Sequence, residues 1–144
     1  MTTPTDTAHP ALAAHPASQA DLGLLVLRLV TGLVFVMHGY QKFFMNTVAG
    51  TAQFFGSIGV PLPGLAAPLV AGVELIGGLL LILGLFPRVV GALLAVNMLV
   101  AILLVHVKGG FFNPNGVEFP LLLLAASAAL ALTGAGRYSL GNKG

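Results

Sequence analysis

The chain has 144 residues, of which 57% are hydrophobic and only 7% are charged, and its formal net charge is +2. Soluble domains are about a quarter charged, so this composition excludes an ordinary water-facing surface. The small positive charge gives no basic patch for nucleic acid, and the absence of cysteine excludes disulfides, thiolate catalysis and cysteine-ligated zinc or iron–sulfur sites.

Four long apolar runs predict an all-α fold, an integral membrane four-helix bundle. A helix needs about 20 apolar residues to cross a hydrocarbon core of about 30 Å, and each run approaches this length. A membrane β-barrel would alternate apolar and polar residues, whereas these runs are continuously apolar. The helices are predicted over residues 22–44, 65–86, 89–107 and 119–134, within one domain of residues 21–140.

The segment before the first helix, residues 1–20, is predicted to be a disordered tail because it is rich in Thr, Pro and Ala. It lacks the positive start and apolar core of a signal peptide. Asp21 follows as an N-cap or first-turn acid, where a carboxylate is stabilised by the helix dipole.

The connection between the first two long helices, residues 47–59, is too short and too mixed to span the membrane. Phe54, Phe55 and Ile58 recur at helical spacing, which predicts a short interfacial helix between helices 1 and 2. A plain loop with two anchoring phenylalanines is the alternative.

A short connection and a helix rich in small residues predict how the remaining helices pack. The stretch FPRVVG, centred on Pro87 and Arg88, is so short that the second and third long helices must form an antiparallel hairpin. The last helix is dominated by small residues, which allow close helix packing.

An even number of spans places both termini on one side of the membrane. The positive-inside rule predicts that this side is cytoplasmic. It would hold Arg28, Arg88, Arg137 and Lys143, whereas the other side would hold Lys42 and Lys108.

Polar residues inside the apolar runs are the candidate site, because an ionisable group in a bilayer costs at least about 2.5 to 3.5 kcal/mol. Arg28 and Glu74 would lie about 9 and 18 Å from the same membrane face, a gap that two extended side chains can bridge. The sequence therefore predicts an Arg28–Glu74 ion pair with Asn97 as a third, hydrogen-bonding member. The alternative is that the pair only fixes the helix register.

Further polar groups lie along the first helix on the stripe that contains Arg28. The stripe continues at steps of three and four residues, which directs its members toward the bundle interior: Arg28, Thr31, Phe35, His38 and Lys42. Lys42 and Lys108 are nevertheless predicted to be ordinary snorkelling anchors at the membrane surface.

Two histidines, His38 and His106, lie toward the same ends of their helices and could in principle ligate haem or a metal. His106 is nine residues from Asn97, about half a turn round an ideal helix, so both cannot face the bundle centre without distortion. Hydrogen bonding of these histidines with Lys42, Glu118 or a ligand is therefore favoured over haem or metal ligation.

Three stretches of the chain, LRLVTGLVFVMHGYQKFF, GVELIGGLLLILGLFPR and LTGAGRYSL, occur in a characteristic order and spacing. Together they resemble the DoxX family of small four-helix bacterial membrane proteins, over residues 21–140. Arg28, His38, Lys42, Glu74 and Asn97 match the family pattern, as does His106. Gly141 departs from it, since an acidic residue often follows the last motif.

The resemblance implies an inner-membrane protein of redox metabolism, since the family is named for a subunit associated with thiosulfate:quinone oxidoreduction. The leading hypothesis is a protein that binds a quinone or a similar amphipathic molecule. Arg28 and Glu74 would bind its head group or relay protons, Asn97 would orient it, and His38 would be a second proton-handling group. Lys42, His106 and Glu118 are secondary candidates, and no catalytic or metal-ligating residue is assigned.

Two other functions stay open at this point. The chain could be a proton-coupled permease or exporter, or a structural subunit that recruits an oxidoreductase partner. Because the sequence contains no cofactor motif, electron transfer would need a bound quinone, a haem or a partner protein. A monomer and a homodimer are both compatible with the small-residue helix faces.

Overall fold

Five α-helices make up the described part of the chain, residues 16–141 of a computed structural model, and no β-strand occurs among those residues. The predicted all-α bundle with a short helix between the first two long ones is confirmed. The helices are α1 (Gln19–Tyr40), α2 (Val48–Ser57), α3 (Pro63–Leu83), α4 (Pro87–Ala101) and α5 (Glu118–Thr133).

Within residues 16–141, three helical segments are long and apolar enough to cross a membrane, namely Gln19–Met45, Pro63–Leu83 and Pro87–Gly109. The fourth predicted span, α5, is apolar but has only 16 residues. Its length of about 24 Å is shorter than a typical hydrocarbon core. Large apolar side chains cover the outer helix faces, as at Val30, which is 58% exposed, and this surface suits lipid rather than water.

The first helix begins with a capping box. The Ser18 hydroxyl accepts a hydrogen bond from the Asp21 backbone N–H at 3.2 Å, and an Asp21 carboxylate oxygen accepts from the Ser18 N–H at 2.8 Å. Asp21 is thus a first-turn acid rather than the N-cap. Because α1 begins at Gln19, the last two residues of the predicted tail are helical, and residues 1–15 lie outside the described part.

The short helix α2 forms where the phenylalanine spacing predicted it, so the plain-loop alternative is wrong. The Thr47 side chain caps it by accepting a hydrogen bond from the Gly50 N–H at 3.2 Å. Phe55 is buried against the bundle, and the Thr51 hydroxyl donates to the Lys42 carbonyl at 3.2 Å. These contacts tie α2 to the end of the α1 segment.

The antiparallel hairpin of α3 and α4 is also confirmed. Gly84 and Phe86 both adopt left-handed backbone conformations, with φ of 72° and 47°, and Pro87 opens α4. Proline suits the first helical position because its missing N–H would have no partner there.

Small residues bring the helices together in two close pairs, α1 with α3 and α4 with α5. A Cβ atom added to Gly78 would lie 2.6 Å from the Gly32 carbonyl oxygen, and one added to Gly91 would lie 2.7 Å from the Ser127 carbonyl oxygen. No side chain fits at these crossings, as the small-residue faces predicted. The apolar core between the pairs contains Phe35, Leu81, Val90, Leu94, Met98, Leu123 and Leu130.

Two of the long helices end in π-helical turns, Gln41–Met45 after α1 and Ile102–His106 after α4. A π turn has i to i+5 hydrogen bonds and is wider than an α turn, so it changes the direction of the side chains that follow. Such turns are frequent at functional sites.

The segment after α5 packs against the end of the bundle that contains the start of α1 and the end of α3. The Leu140 N–H donates to the Leu83 carbonyl at 3.1 Å, and the Arg137 N–H donates to an Asp21 carboxylate oxygen at 3.0 Å. This segment therefore joins the start of α1 to the end of α3.

Candidate ligand-binding site

A cavity of about 440 Å³ lies inside the bundle, at the end covered by α2 and the loop of residues 110–117. Its volume is in the range of small-molecule sites, roughly 300 to 1,000 Å³. Most of its wall is apolar. Its polar lining consists of His38, Lys42, Glu74, Asn97, His106, Asn113 and Asn115.

One wall of the cavity carries a hydrogen-bonded chain of three side chains. The Lys42 Nζ donates to Glu74 Oε2 at 2.6 Å, and the Asn97 Nδ2 donates to Glu74 Oε1 at 3.0 Å. Glu74 is buried, with 3% of its surface exposed, whereas the Lys42 side chain is 19% exposed. Both carboxylate oxygens therefore have a partner, and the charges of the pair cancel.

The predicted Arg28–Glu74 ion pair is wrong. Arg28 donates instead to three backbone carbonyls, those of Leu81 at 3.2 Å, Ile82 at 2.5 Å and Tyr138. Leu81 lies seven residues beyond Glu74, which is about 10 Å along α3. The predicted contact of Asn97 with Glu74 is present, but Lys42 takes the place of Arg28.

The physical reason is the register of α1 against α3. Close approach occurs at Gly32 with Gly78, and again at Gly39, where an added Cβ would lie 2.5 Å from the Leu75 nitrogen. In this antiparallel register the end of the α1 segment lies beside Glu74. The prediction that Lys42 is a surface anchor is therefore wrong, and only Lys108 is exposed as predicted.

Both internal histidines line the cavity. The His38 ring lies 6.2 Å from the Phe119 ring, between centroids, and His106 Nδ1 lies 3.3 Å from the Asn115 carbonyl oxygen. The hydrogen-bond partner of His106 is thus the loop backbone, rather than Lys42 or Glu118. Within residues 16–141, the His38 side chain makes no hydrogen bond.

The π turn Ile102–His106 explains why Asn97 and His106 face the same cavity. On a regular α-helix they would point in opposite directions. The wider turn between them supplies the distortion that this arrangement requires. Nothing in the apolar stretch ILLVH indicates this turn.

Glu118 does not line the cavity. One of its carboxylate oxygens accepts a hydrogen bond from the Asn113 N–H at 2.6 Å, and the loop also closes through the Glu118 N–H to the Phe111 carbonyl at 2.9 Å. Glu118 therefore shapes the loop that covers the cavity. That loop contributes Asn113 and Asn115 to the cavity wall, and neither was among the candidates from the sequence.

The cavity leaves several polar groups available to a ligand. Lys42 uses one of its three ammonium hydrogens for Glu74, and the Asn97 carboxamide oxygen accepts no hydrogen bond from the described residues. Among residues 16–141, no group of three or more His, Cys, Asp or Glu side chains is placed to hold a metal ion. The site thus offers donors and acceptors on one wall of an apolar chamber.

Comparisons with known proteins identify the family of this chain. The DoxX family model matches residues 23–107. A Bacillus subtilis protein named "Putative oxidoreductase CatD" is 46% identical over 114 residues, which is 79% of this chain and 81% of that protein. No solved structure matches the chain.

Two Escherichia coli relatives are named as inner membrane proteins. "Inner membrane protein YphA" is 32% identical over 81% of this chain and 86% of its own length. "Inner membrane protein YqjF" is 32% identical over 83% of this chain and 90% of its own length. Since the family model covers more than half of the chain and these relatives align over most of it, the chain belongs to the DoxX family.

Proposed function

We propose that this membrane protein binds a small, electrically neutral amphipathic molecule, such as a quinone, in its internal cavity and serves a redox reaction. The observation that carries this proposal is the arrangement of one wall. The buried chain of Lys42, Glu74 and Asn97 faces an otherwise mainly apolar chamber of about 440 Å³.

The charge balance of the site favours a neutral ligand. The positive charge of Lys42 is already compensated by Glu74 at 2.6 Å, so neither an anion nor a cation finds an unpaired counterion on this wall. Lys42 and Asn97 would donate to a carbonyl oxygen of the ligand, and the Asn97 oxygen would accept from a hydroxyl. The apolar walls would surround the body of the ligand.

A quinone fits this description because its polar oxygens are attached to an apolar ring and tail. When bound, it would supply two-electron, two-proton chemistry that no side chain of the chain provides. His38, which lines the same cavity, would hold or release a proton at a ring nitrogen, since imidazole exchanges protons near neutral pH. The name of the Bacillus subtilis relative supports a redox role.

Cavity-filling variants test the proposal without disturbing the polar wall. Ala101 lines the cavity, whereas Ala92 is an exposed residue of the same helix. We expect protein purified gently from membranes to retain an amphipathic molecule, detected by mass spectrometry of organic extracts and by absorption. Ala101→Leu should lose it and Ala92→Leu should retain it.

Titration of a short-tailed ubiquinone into the same three proteins tests the quinone class directly. Wild type and Ala92→Leu should bind it, and Ala101→Leu should bind it at least several-fold more weakly. Equal occupancy in all three proteins, or no binding in any of them while all remain folded, would contradict the proposal.

We further propose that the protein lies in the bacterial inner membrane with the Arg28 end facing the cytoplasm. The names of the two Escherichia coli relatives support the membrane, and the positive-inside rule supports the orientation. Because the chain has no cysteine, Arg88→Cys and Lys108→Cys give single labelling sites at exposed positions. A membrane-impermeant maleimide added to spheroplasts should label only the residue 108 variant.

A further inference from the structure

A second recess, of about 400 Å³, lies at the end of α1 and α3 opposite the ligand cavity. It is bounded by the first turns of α1, the last turn of α3 and the segment after α5. Its lining residues are Leu25, Arg28, Leu29, Ile82, Leu83 and residues 137–140. Two arginines thus stand among leucines at one end of a membrane-spanning helix pair.

Arg28 carries a buried positive charge with no acidic partner in the described part of the chain. It is only 2% exposed, and its guanidinium donates to the backbone carbonyls of Leu81, Ile82 and Tyr138. Its Nε atom has no hydrogen-bond partner among residues 16–141. The carbonyls at the end of α3 offset the charge only partly, because they carry partial rather than full negative charge.

Arg137 adds a second guanidinium to the same recess. Its side chain is exposed. It forms no ion pair within residues 16–141, where the Lys42–Glu74 pair is the one ion pair found. Asp21 accepts from the Ser18 and Arg137 backbone N–H groups, and its single negative charge offsets only one of the two guanidinium charges. The recess therefore has a net positive charge.

We propose that this recess binds an anionic phospholipid. Its phosphate would pair with Arg137 and with the positive field of Arg28, and an acyl chain would lie along Leu25 and Leu29. Arginine is well suited to phosphate because its planar fork donates two parallel hydrogen bonds. Leu29 is 39% exposed and Leu140 is 65% exposed, so the recess opens to the surface that faces lipid.

A lipid is favoured over a soluble anion by the surroundings of the two charges. The recess is at helix ends, the depth at which phospholipid head groups lie, and its remaining walls are mainly leucine. Basic pockets between membrane helices commonly hold anionic head groups. This inference is independent of the ligand proposed for the internal cavity.

Native mass spectrometry of the full chain, released from vesicles with equal amounts of phosphatidylglycerol and phosphatidylcholine, tests the proposal. We expect one retained phosphatidylglycerol per chain in preference to phosphatidylcholine. Arg137→Gln should reduce retention about fivefold, the usual contribution of one basic residue near a lipid surface. The matched control is Arg88→Gln, because Arg88 is exposed and donates to the Leu132 carbonyl outside this recess.

Three outcomes would overturn the proposal. The first is equal retention of the two lipids, and the second is an equal loss in Arg137→Gln and Arg88→Gln. The third is complete displacement of the lipid by excess inorganic phosphate, which would show a site for the free anion. Arg28→Lys keeps the positive field at this position, so it should retain more phosphatidylglycerol than Arg137→Gln.

Discussion

Lys42 and Glu74 form a 2.6 Å ion pair across the crossing of α1 and α3, in the register set by the close contact of Gly32 with Gly78. The pair closes one wall of the internal cavity and is extended by Asn97. Removing this ion pair should therefore affect stability independently of the Arg28 contacts, which lie at the other end of the same two helices.

Replacing one partner of the ion pair should destabilise the fold. Glu74→Gln leaves the Lys42 ammonium without a counterion, and we expect a loss of about 2 to 3 kcal/mol in the free energy of unfolding. This loss is smaller than for a fully buried pair because water partly solvates Lys42. Reversible unfolding in mixed detergent micelles measures this loss. A double-mutant cycle with Lys42→Met should give a coupling above about 1 kcal/mol.

The matched cycle pairs Glu74→Gln with Arg28→Gln. Since Arg28 contacts backbone carbonyls about 10 Å further along α3, the two changes should add to within about 0.5 kcal/mol. A large coupling here, with none between Lys42 and Glu74, would refute the assignment of Lys42 as the partner.

A methyl group at the helix crossing should also destabilise the bundle. The added Cβ of Gly78→Ala would lie 2.6 Å from the Gly32 carbonyl oxygen, so the helices must separate, at a cost of about 1 to 3 kcal/mol. Gly72→Ala is the control in the same helix, because an added Cβ there meets no atom within 4 Å. It should be neutral or stabilise by up to about 1 kcal/mol. Equal effects of the two changes would contradict the observed register.

Arg28 should hold the segment after α5 in place. Arg28→Leu removes the donors to Leu81, Ile82 and Tyr138, and we expect a loss of at least about 2 kcal/mol. Hydrogen exchange should become faster at the Leu140 N–H, which donates to Leu83. Arg88→Gln should leave that exchange rate unchanged, and an unchanged rate in Arg28→Leu would argue against this role.

Asn97 should affect ligand retention more than stability. Asn97→Leu removes the 3.0 Å hydrogen bond to Glu74, and intramembrane hydrogen bonds contribute only about 0.6 to 1.7 kcal/mol. If Asn97 orients the bound molecule, its occupancy in purified protein should fall several-fold, as measured by mass spectrometry. Val96→Leu, a change at an exposed neighbouring position, should alter neither quantity. Full ligand occupancy in Asn97→Leu would contradict a role for Asn97 in ligand binding.

Much of the architecture is predictable because it depends on local properties of the chain. Continuous apolar runs indicate helices, the FPRVVG connection is too short for anything but a hairpin, and the phenylalanine spacing predicts α2. The choice of Glu74 and Asn97 as candidate site residues follows from the cost of burying polar groups in a bilayer, which requires no knowledge of the neighbouring helices.

The partner of Glu74 was not predictable in the same way. Aligning α1 and α3 by their ends placed Arg28 near Glu74, whereas the contacts at Gly32, Gly39 and Gly78 bring Lys42 there instead. Likewise, the π turn at residues 102–106 has no local signal, yet it directs His106 into the cavity that Asn97 lines.

The sequence by itself determined that this protein is a membrane helical bundle and that the charged side chains Arg28 and Glu74 are buried in it, because hydropathy acts residue by residue. Only the tertiary structure decided which groups these two side chains meet. A shift of one helical turn moves a side chain by about 5.4 Å, which is enough to exchange one charged partner for another. That register depends on close packing between distant residues.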